Sequence, residues 1–220
     1  MQNTLYINLR ERTDRLEHVQ QELATMDIHH AVRIDAVKTD PGSIGCTLSH
    51  IRALKHAEKE GWDTVFVCED DIAFLNPELL KCNLEAFLKK EVEWDVLIVG
   101  GNNSPPYDII DEISCRVYNC QTTTGYIVKK HYYRAMIENF KESVRLLTQN
   151  PTLHQLYALD IYWKKMQKKD KWFMILPLTV TQYQNYSDIE KKTTQYDWLM
   201  LDMEKKWIAT LQTPSSTVKK

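Results

Sequence analysis

The sequence predicts an α/β domain, a mostly parallel central sheet with helices on both faces. Three observations predict it. The runs "DTVFVC" (63–68) and "WDVLIVGG" (94–101) are continuously apolar and rich in β-branched residues, the pattern of strands covered on both faces. Other stretches repeat their apolar residues every three or four positions, the helical period. The two kinds of segment alternate along the chain, as they do when parallel strands are joined by helical crossovers. At 220 residues and 43% hydrophobic, the chain is long enough for one sizeable core.

"TLYINL" (4–9) is the first strand and is followed by Arg10, Arg12 and Arg15. Leu16, Val19, Leu23 and Met26 place a helix over 14–26 with Thr13 as N-cap. "AVRIDAV" (31–37) is the second strand, and "KTDPGSIG" (38–45), with Pro41, Gly42 and Gly45, reads as a loop. Leu48, Ile51, Leu54 and Ala57 form a second helical stripe that Gly61 ends. After the strand at 63–68, Pro77 opens a helix with Leu80, Leu84 and Phe87 inward, and the strand at 94–101 stops at two glycines. "CRVYNCQ" and "TGYIVK" read as short strands, an antiparallel addition. Helices are expected around 131–147 and 155–168, with a strand at 172–177. Tyr196, Leu199, Met203, Trp207 and Leu211 would share one side of a helix over 195–211. The expected organisation is a domain over 1–190, a helical extension over 191–212 and a disordered tail over 213–220.

The bulk numbers exclude several classes. A net charge of −2 gives no electrostatic footprint for nucleic acid. No run of about 18 apolar residues suggests a transmembrane helix. The start lacks the basic and apolar runs of a signal peptide. The five cysteines show no CxxC spacing, so reduced thiols in a cytoplasmic protein are expected. The C-terminal helix is expected to pack on its own chain, with peripheral membrane contact as the alternative.

"VFVCEDDIAF" (65–74) carries the chemistry. Glu69, Asp70 and Asp71 follow a buried strand, and ligands of open α/β sheets sit beyond the carboxyl ends of the strands. If the backbone stays extended, Glu69 and Asp71 point one way and Asp70 the other. An all-oxygen pair of this kind suits a hard cation, Mn²⁺ or Mg²⁺, rather than zinc. Two like charges at ~4 Å repel by about 4 kcal/mol at an effective dielectric of 20, which a divalent ion would relieve. The alternative is a solvated acidic turn capping the next helix. The chain has neither GxxxxGK[ST] nor GxGxxG, so a metal bridging two phosphates of a nucleotide would replace those glycine loops. A guanidinium after the first strand could assist by binding phosphate in a bidentate way.

Several stretches, taken in order, resemble a known family. They are "YINLRERTDR" (6–15), "IGCTLSHIRALKHA" (44–57), "VFVCEDDIAF" (65–74), "WDVLIVGG" (94–101), "TTGYIV" (123–128) and "SDI" (187–189). Together they are similar to glycosyltransferase family 25, which includes lipooligosaccharide and collagen galactosyltransferases. The resemblance implies a GT-A fold, a UDP-sugar donor (commonly UDP-galactose), a divalent ion and an inverting transfer. It implies that Glu69, Asp70 and Asp71 form the metal and donor motif, with Glu69 and Asp71 on the metal. It places Asn8, Leu9, Arg12 and Arg15 in the first nucleotide-contact segment. Gly45, Cys46, Ser49 and His50 match a G-C-x-x-S-H stretch, Gly125 and Tyr126 a G-Y segment, and Ser187, Asp188 and Ile189 the closing motif. Val99-Gly100-Gly101 departs mildly from the family's Leu-Gly.

Inverting transfer needs a base for the acceptor hydroxyl. Asp160 in "YALDIYW" (157–163) is the candidate, with Asp188 as rival base or further ligand. Tyr157, Tyr162 and Trp163 could stack on a sugar or simply fill the core. His50 could touch donor phosphate or ribose, or be a buried structural histidine. Cys46 reads as packing. Gly125 reads as a close backbone approach to a ligand or as a turn. The acceptor would be a glycan, glycolipid or glycoprotein. The alternative function is a non-catalytic binding or scaffold protein of the same fold.

Overall fold

The computed structural model describes residues 1–187 and 189–207. The chain opens with β1 (Thr4–Asn8), α1 (Thr13–Thr25), β2 (Val32–Asp35), α2 (Gly42–Glu60) and β3 (Thr64–Glu69). Next come β4 (Ile72–Phe74), α3 (Pro77–Leu88), β5 (Val96–Asn103), β6 (Tyr107–Asp111), β7 (Ser114–Val117) and β8 (Cys120–Lys129). Helix α4 (Tyr133–Gln149) and three short helices, α5 (His154–Tyr157), α6 (Leu159–Tyr162) and α7 (Lys164–Gln167), precede β9 (Trp172–Ile175). The described chain closes with β10 (Val180–Gln182), β11 (Asn185–Ser187), β12 (Lys192–Thr194) and α8 (Asp197–Met200).

Eight strands make one sheet in the order β2-β1-β3-β8-β5-β9-β7-β6. The pairings set β2, β1, β3, β5, β9 and β6 in one direction and β8 and β7 in the other. The expected α/β architecture is therefore present. Both faces are covered. Val19 and Leu23 of α1 pack with Leu80, Leu84 and Phe87 of α3 on one face. Ile51, Leu54 and Ala57 of α2 pack with Met136 and Phe140 of α4 on the other. α1 leads outward from β1 to β2, and α2 returns past β1 to β3. That reversal makes the carboxyl ends of β1 and β3 the switch point of the sheet, where open α/β sheets place their ligands.

Several expectations are corrected. α1 begins at Thr13, with Arg12 in the cap position and no side-chain cap there. α2 begins at Gly42, inside the segment read as a loop. Gly45 permits this. A Cβ there would lie 2.1 Å from the Val37 carbonyl and 2.9 Å from Thr39 Oγ1, so only glycine lets this helix press on the chain leaving β2. The antiparallel addition is real but central, since β8 lies between β3 and β5. The helix expected at 155–168 breaks into three. Ala158 is extended at ψ 146°, and Ser143 Oγ donates to the Tyr157 carbonyl at 2.5 Å. The helix expected at 195–211 is only α8 within the described residues, and Leu211 lies outside them. Among the described residues, no helix is long and apolar enough to cross a membrane.

Candidate functional site

The three acids sit at the end of β3, beside the end of β1. The backbone does not stay extended through them, because Asp70 and Asp71 form the turn between β3 and β4. The alternation expected for an extended strand is therefore lost. Asp70 and Asp71 face the same cation, accepting from Arg15 Nη1 at 2.9 and 3.0 Å. Asn8, the last residue of β1, donates from Nδ2 to Asp70 at 2.7 Å across the switch point. The other Asn8 side-chain atom, Oδ1, is buried without a hydrogen-bond partner, as is Arg15 Nε. The Leu9 carbonyl accepts the Arg12 amide at 3.0 Å, which turns the chain from β1 into α1.

The arginines divide. Arg10 points outward to Asp35 at 3.0 Å. Arg12 and Arg15 converge, donating to the Tyr186 carbonyl at 3.0 and 3.1 Å. Arg12 is also gripped by both carboxylate oxygens of Asp14. Tyr186 belongs to the β11–β12 hairpin, which thereby meets the arginines that flank the acids. β10 pairs with β4 beneath it, and the Tyr183 amide donates to the Asp71 carbonyl at 2.6 Å.

Glu69 turns the other way, toward α2 and β8. Its Oε1 accepts from Thr123 Oγ1 at 2.5 Å and lies 3.3 Å from His50 Nε2 and 3.9 Å from Cys46 Sγ. Gln182 Nε2 spans the acids, 3.4 Å from Glu69 Oε2 and 3.3 Å from Asp71 Oδ1. Glu69 and Asp71 thus meet through Gln182. His50 is fully buried, with Nδ1 2.8 Å from the Tyr126 hydroxyl.

Protonation follows from burial and crowding. Burial, then repulsion from Glu69, pushes the Asp71 carboxyl up to about 7 despite Arg15. Asp70 is also raised, chiefly by burial. Burial alone would raise Glu69, but the hydrogen bond and charge of His50, the Thr123 hydroxyl and the Arg15 charge together lower it. Three adjacent carboxylates, two of them sharing one guanidinium, cannot all carry charge cheaply.

Several other expected residues also carry structural parts. Asp160 is close to this cluster, but its Oδ2 accepts the Thr122 amide at 2.9 Å. Thr122 has φ 72°, a left-handed conformation costly for a β-branched residue, so Asp160 holds the bend that presents Thr123 to Glu69. Burial raises the Asp160 carboxyl. Ser49 is spent on packing α2 against the end of β2, donating to Gly45 O at 2.7 Å and accepting from Val37 N at 2.8 Å. Gly125 makes room for side chains rather than for a ligand, since a Cβ there would meet Ile72 Cδ1 at 3.0 Å and Phe66 at 3.3 Å. Trp163 is core, its indole N–H donating to Cys120 O. Asp188 lies outside the described residues.

Reading the sequence missed Thr123, Gln182 and the Tyr186 carbonyl. Thr123 opens the matched stretch 123–128, which assigns it no role; Gln182 and Tyr186 carry no local signal and arrive only because β10 returns to β4. The surface depression lined by Asp63, Thr64, Lys129, Lys130 and His131 is at the opposite end of β3.

No protein-family model matches this chain, and no curated protein matches it. Solved structures of similar chain course include a protein from STIV, at 13% identity and TM-score 0.49, covering 93% of this chain and 96% of that one. A glycosyltransferase involved in glycosylation of the PBCV-1 major capsid gives 11% identity and TM-score 0.43 over 79% and 91% of the two chains. A Drosophila galactosyltransferase variant, in complex with manganese, UDP-Gal and xylobiose, gives 12% identity and TM-score 0.46 over 98% and 82%. The chain itself is an α/β protein with an acidic, arginine-flanked cluster at the switch point of its sheet.

Proposed function

We propose that the protein is a glycosyltransferase of GT-A type, moving a sugar from a nucleotide-diphosphate donor to a hydroxyl acceptor with inversion. One observation carries this reading: three consecutive carboxylates end β3 at the switch point, and two guanidiniums converge beside them. A site holding both signs suits a diphosphate bridged by a cation. UDP-galactose is the first donor to try, and a lipooligosaccharide or another glycan, glycolipid or glycoprotein the acceptor.

Asp71, Asp70 and Glu69 Oε2 offer oxygens that suit a hard divalent ion, the buried Asn8 Oδ1 lacks a partner beside them, and burial, then repulsion from Glu69, raises Asp71. Asp71 and Glu69 would hold Mn²⁺ or Mg²⁺, which would supply Lewis-acid stabilisation of a leaving diphosphate. Arg12 and Arg15 would bind the phosphate oxygens and neutralise charge as the glycosidic C–O bond breaks. Asp160, raised by burial, would take the acceptor proton as its oxygen attacks the anomeric carbon, with Asp188 as the rival base.

Calorimetry of UDP binding with Mn²⁺ tests the reading. Asp71→Ala is expected to abolish the Mn²⁺-dependent part of binding and the transfer of sugar. Unchanged UDP binding in that variant would overturn the assignment.

A further inference from the structure

We propose that Cys46, His50 and Glu69 form a second cation site, one that takes a borderline metal such as Zn²⁺ or Co²⁺ rather than Mn²⁺. Cys46 and His50 are four residues apart on α2, so they face the same way one turn apart. Glu69, ending β3, comes to meet them. One sulfur, one nitrogen and one oxygen donor atom all lie within 4.8 Å of one another. Metal–ligand bonds of about 2.0–2.3 Å set the corners of a tetrahedron about 3.3–3.8 Å apart. The observed separations from Glu69 Oε1, 3.3 Å to His50 Nε2 and 3.9 Å to Cys46 Sγ, are already of this size.

The surroundings point the same way. The 3.3 Å contact is long for an imidazole N–H donating to a carboxylate, which closes to about 2.7–2.9 Å. His50 Nδ1 is instead paired at 2.8 Å with the buried Tyr126 hydroxyl. The Tyr126 hydroxyl can donate to Nδ1 or accept from it, and in the metal-bound form Nδ1–H would donate to Tyr126 while Nε2 bonds the cation in place of its contact with Glu69. The outer ring N–H of a ligating histidine almost always has such a partner. Thr123 fixes Glu69 by its hydroxyl. The mixed S/N/O donor set selects zinc-like ions over magnesium or manganese. Three protein ligands leave a fourth position for water or a substrate atom. On binding, the Cys46 thiol passes its proton to solvent as the sulfur–metal bond forms. Glu69 Oε1 serves this site and its Oε2 faces Gln182 and Asp71, so this inference does not depend on sugar transfer.

Titration of the chelator-treated, reduced protein with Co²⁺ tests it without any donor. One equivalent is expected to give an intense near-ultraviolet thiolate-to-cobalt band with tetrahedral visible bands. Cys46→Ser should remove the charge-transfer band, and His50→Ala should weaken Co²⁺ affinity at least tenfold, on the order of 1.4 kcal/mol. The same band persisting in Cys46→Ser would assign it to another cysteine, such as exposed Cys82, and overturn the site. X-ray absorption of the zinc-loaded natural sequence guards against a variant that misfolds: one sulfur scatterer supports the site and none overturns it. A cobalt band without UDP binding would retain this site and reject the transferase reading. UDP binding without the band would do the reverse.

Discussion

At the scale of single residues, Asp71 sets the pH behaviour of the site. Its carboxyl is raised from 3.8 to about 7, first by burial and then by Glu69. The folded protein therefore holds a proton there that the unfolded chain has lost. Where the native state binds more protons, stability falls as pH rises. The window runs from the unfolded value near 4 up through about 7. Metal-free Asp71→Asn is expected to flatten this slope and to melt higher than the natural sequence at about pH 8. Parallel melting curves for the two proteins across that range would remove Asp71 as the source. Asp71 was legible from the sequence because three acids in a row need no long-range information. That Asp70 joins it on Arg15 was not, because the turn at 70–71 breaks the alternation from which the pairing was read.

At the scale of elements, α2 is the support of the site. It carries Cys46 and His50 and is pressed against the chain after β2 through Gly45 and Ser49. Gly45→Ala would drive a methyl into the Val37 carbonyl, and a loss of about 2–3 kcal/mol is expected. Gly61→Ala, at φ 71° with open space around it, should cost only about 1 kcal/mol. Denaturant midpoints of the two variants check the order, and equal losses would mean that α2 is free to shift. The helical stripe of α2 was plain from its apolar period, but its first turn was hidden by Pro41 and Gly42, which read as loop. Core strands were equally plain, because β3 and β5 each contain an unbroken apolar run, 65–68 and 96–99. The three-residue strands β4 and β10 are too short to show a period, and with them went Gln182. The break at Ala158 is set by Ser143 from another helix, which no local pattern announces.

At the scale of the whole molecule, the described residues after β12 pack against β5 and β10. Met200 is buried, and Asp197 accepts from Thr181 Oγ1 at 2.7 Å. Lys205 Nζ is buried among the carbonyls of Asn103, Leu199 and Asp202. A chain ended after Gln195 is expected to lose roughly 3 kcal/mol or more, as when a buried methionine is deleted, read as a lower melting temperature. An unchanged melting temperature would make the segment an appendage, against the packing on its own chain that the sequence predicts. The hairpin that carries Tyr186 reaches the arginines beside the acidic cluster. One peptide oxygen there accepts from two guanidiniums at once. An arriving anion finds those donors spent, so its capture must be an exchange of one acceptor for another. Its apparent affinity then includes whatever holds the hairpin down, and loosening the hairpin would tighten the ligand without altering any group that touches it.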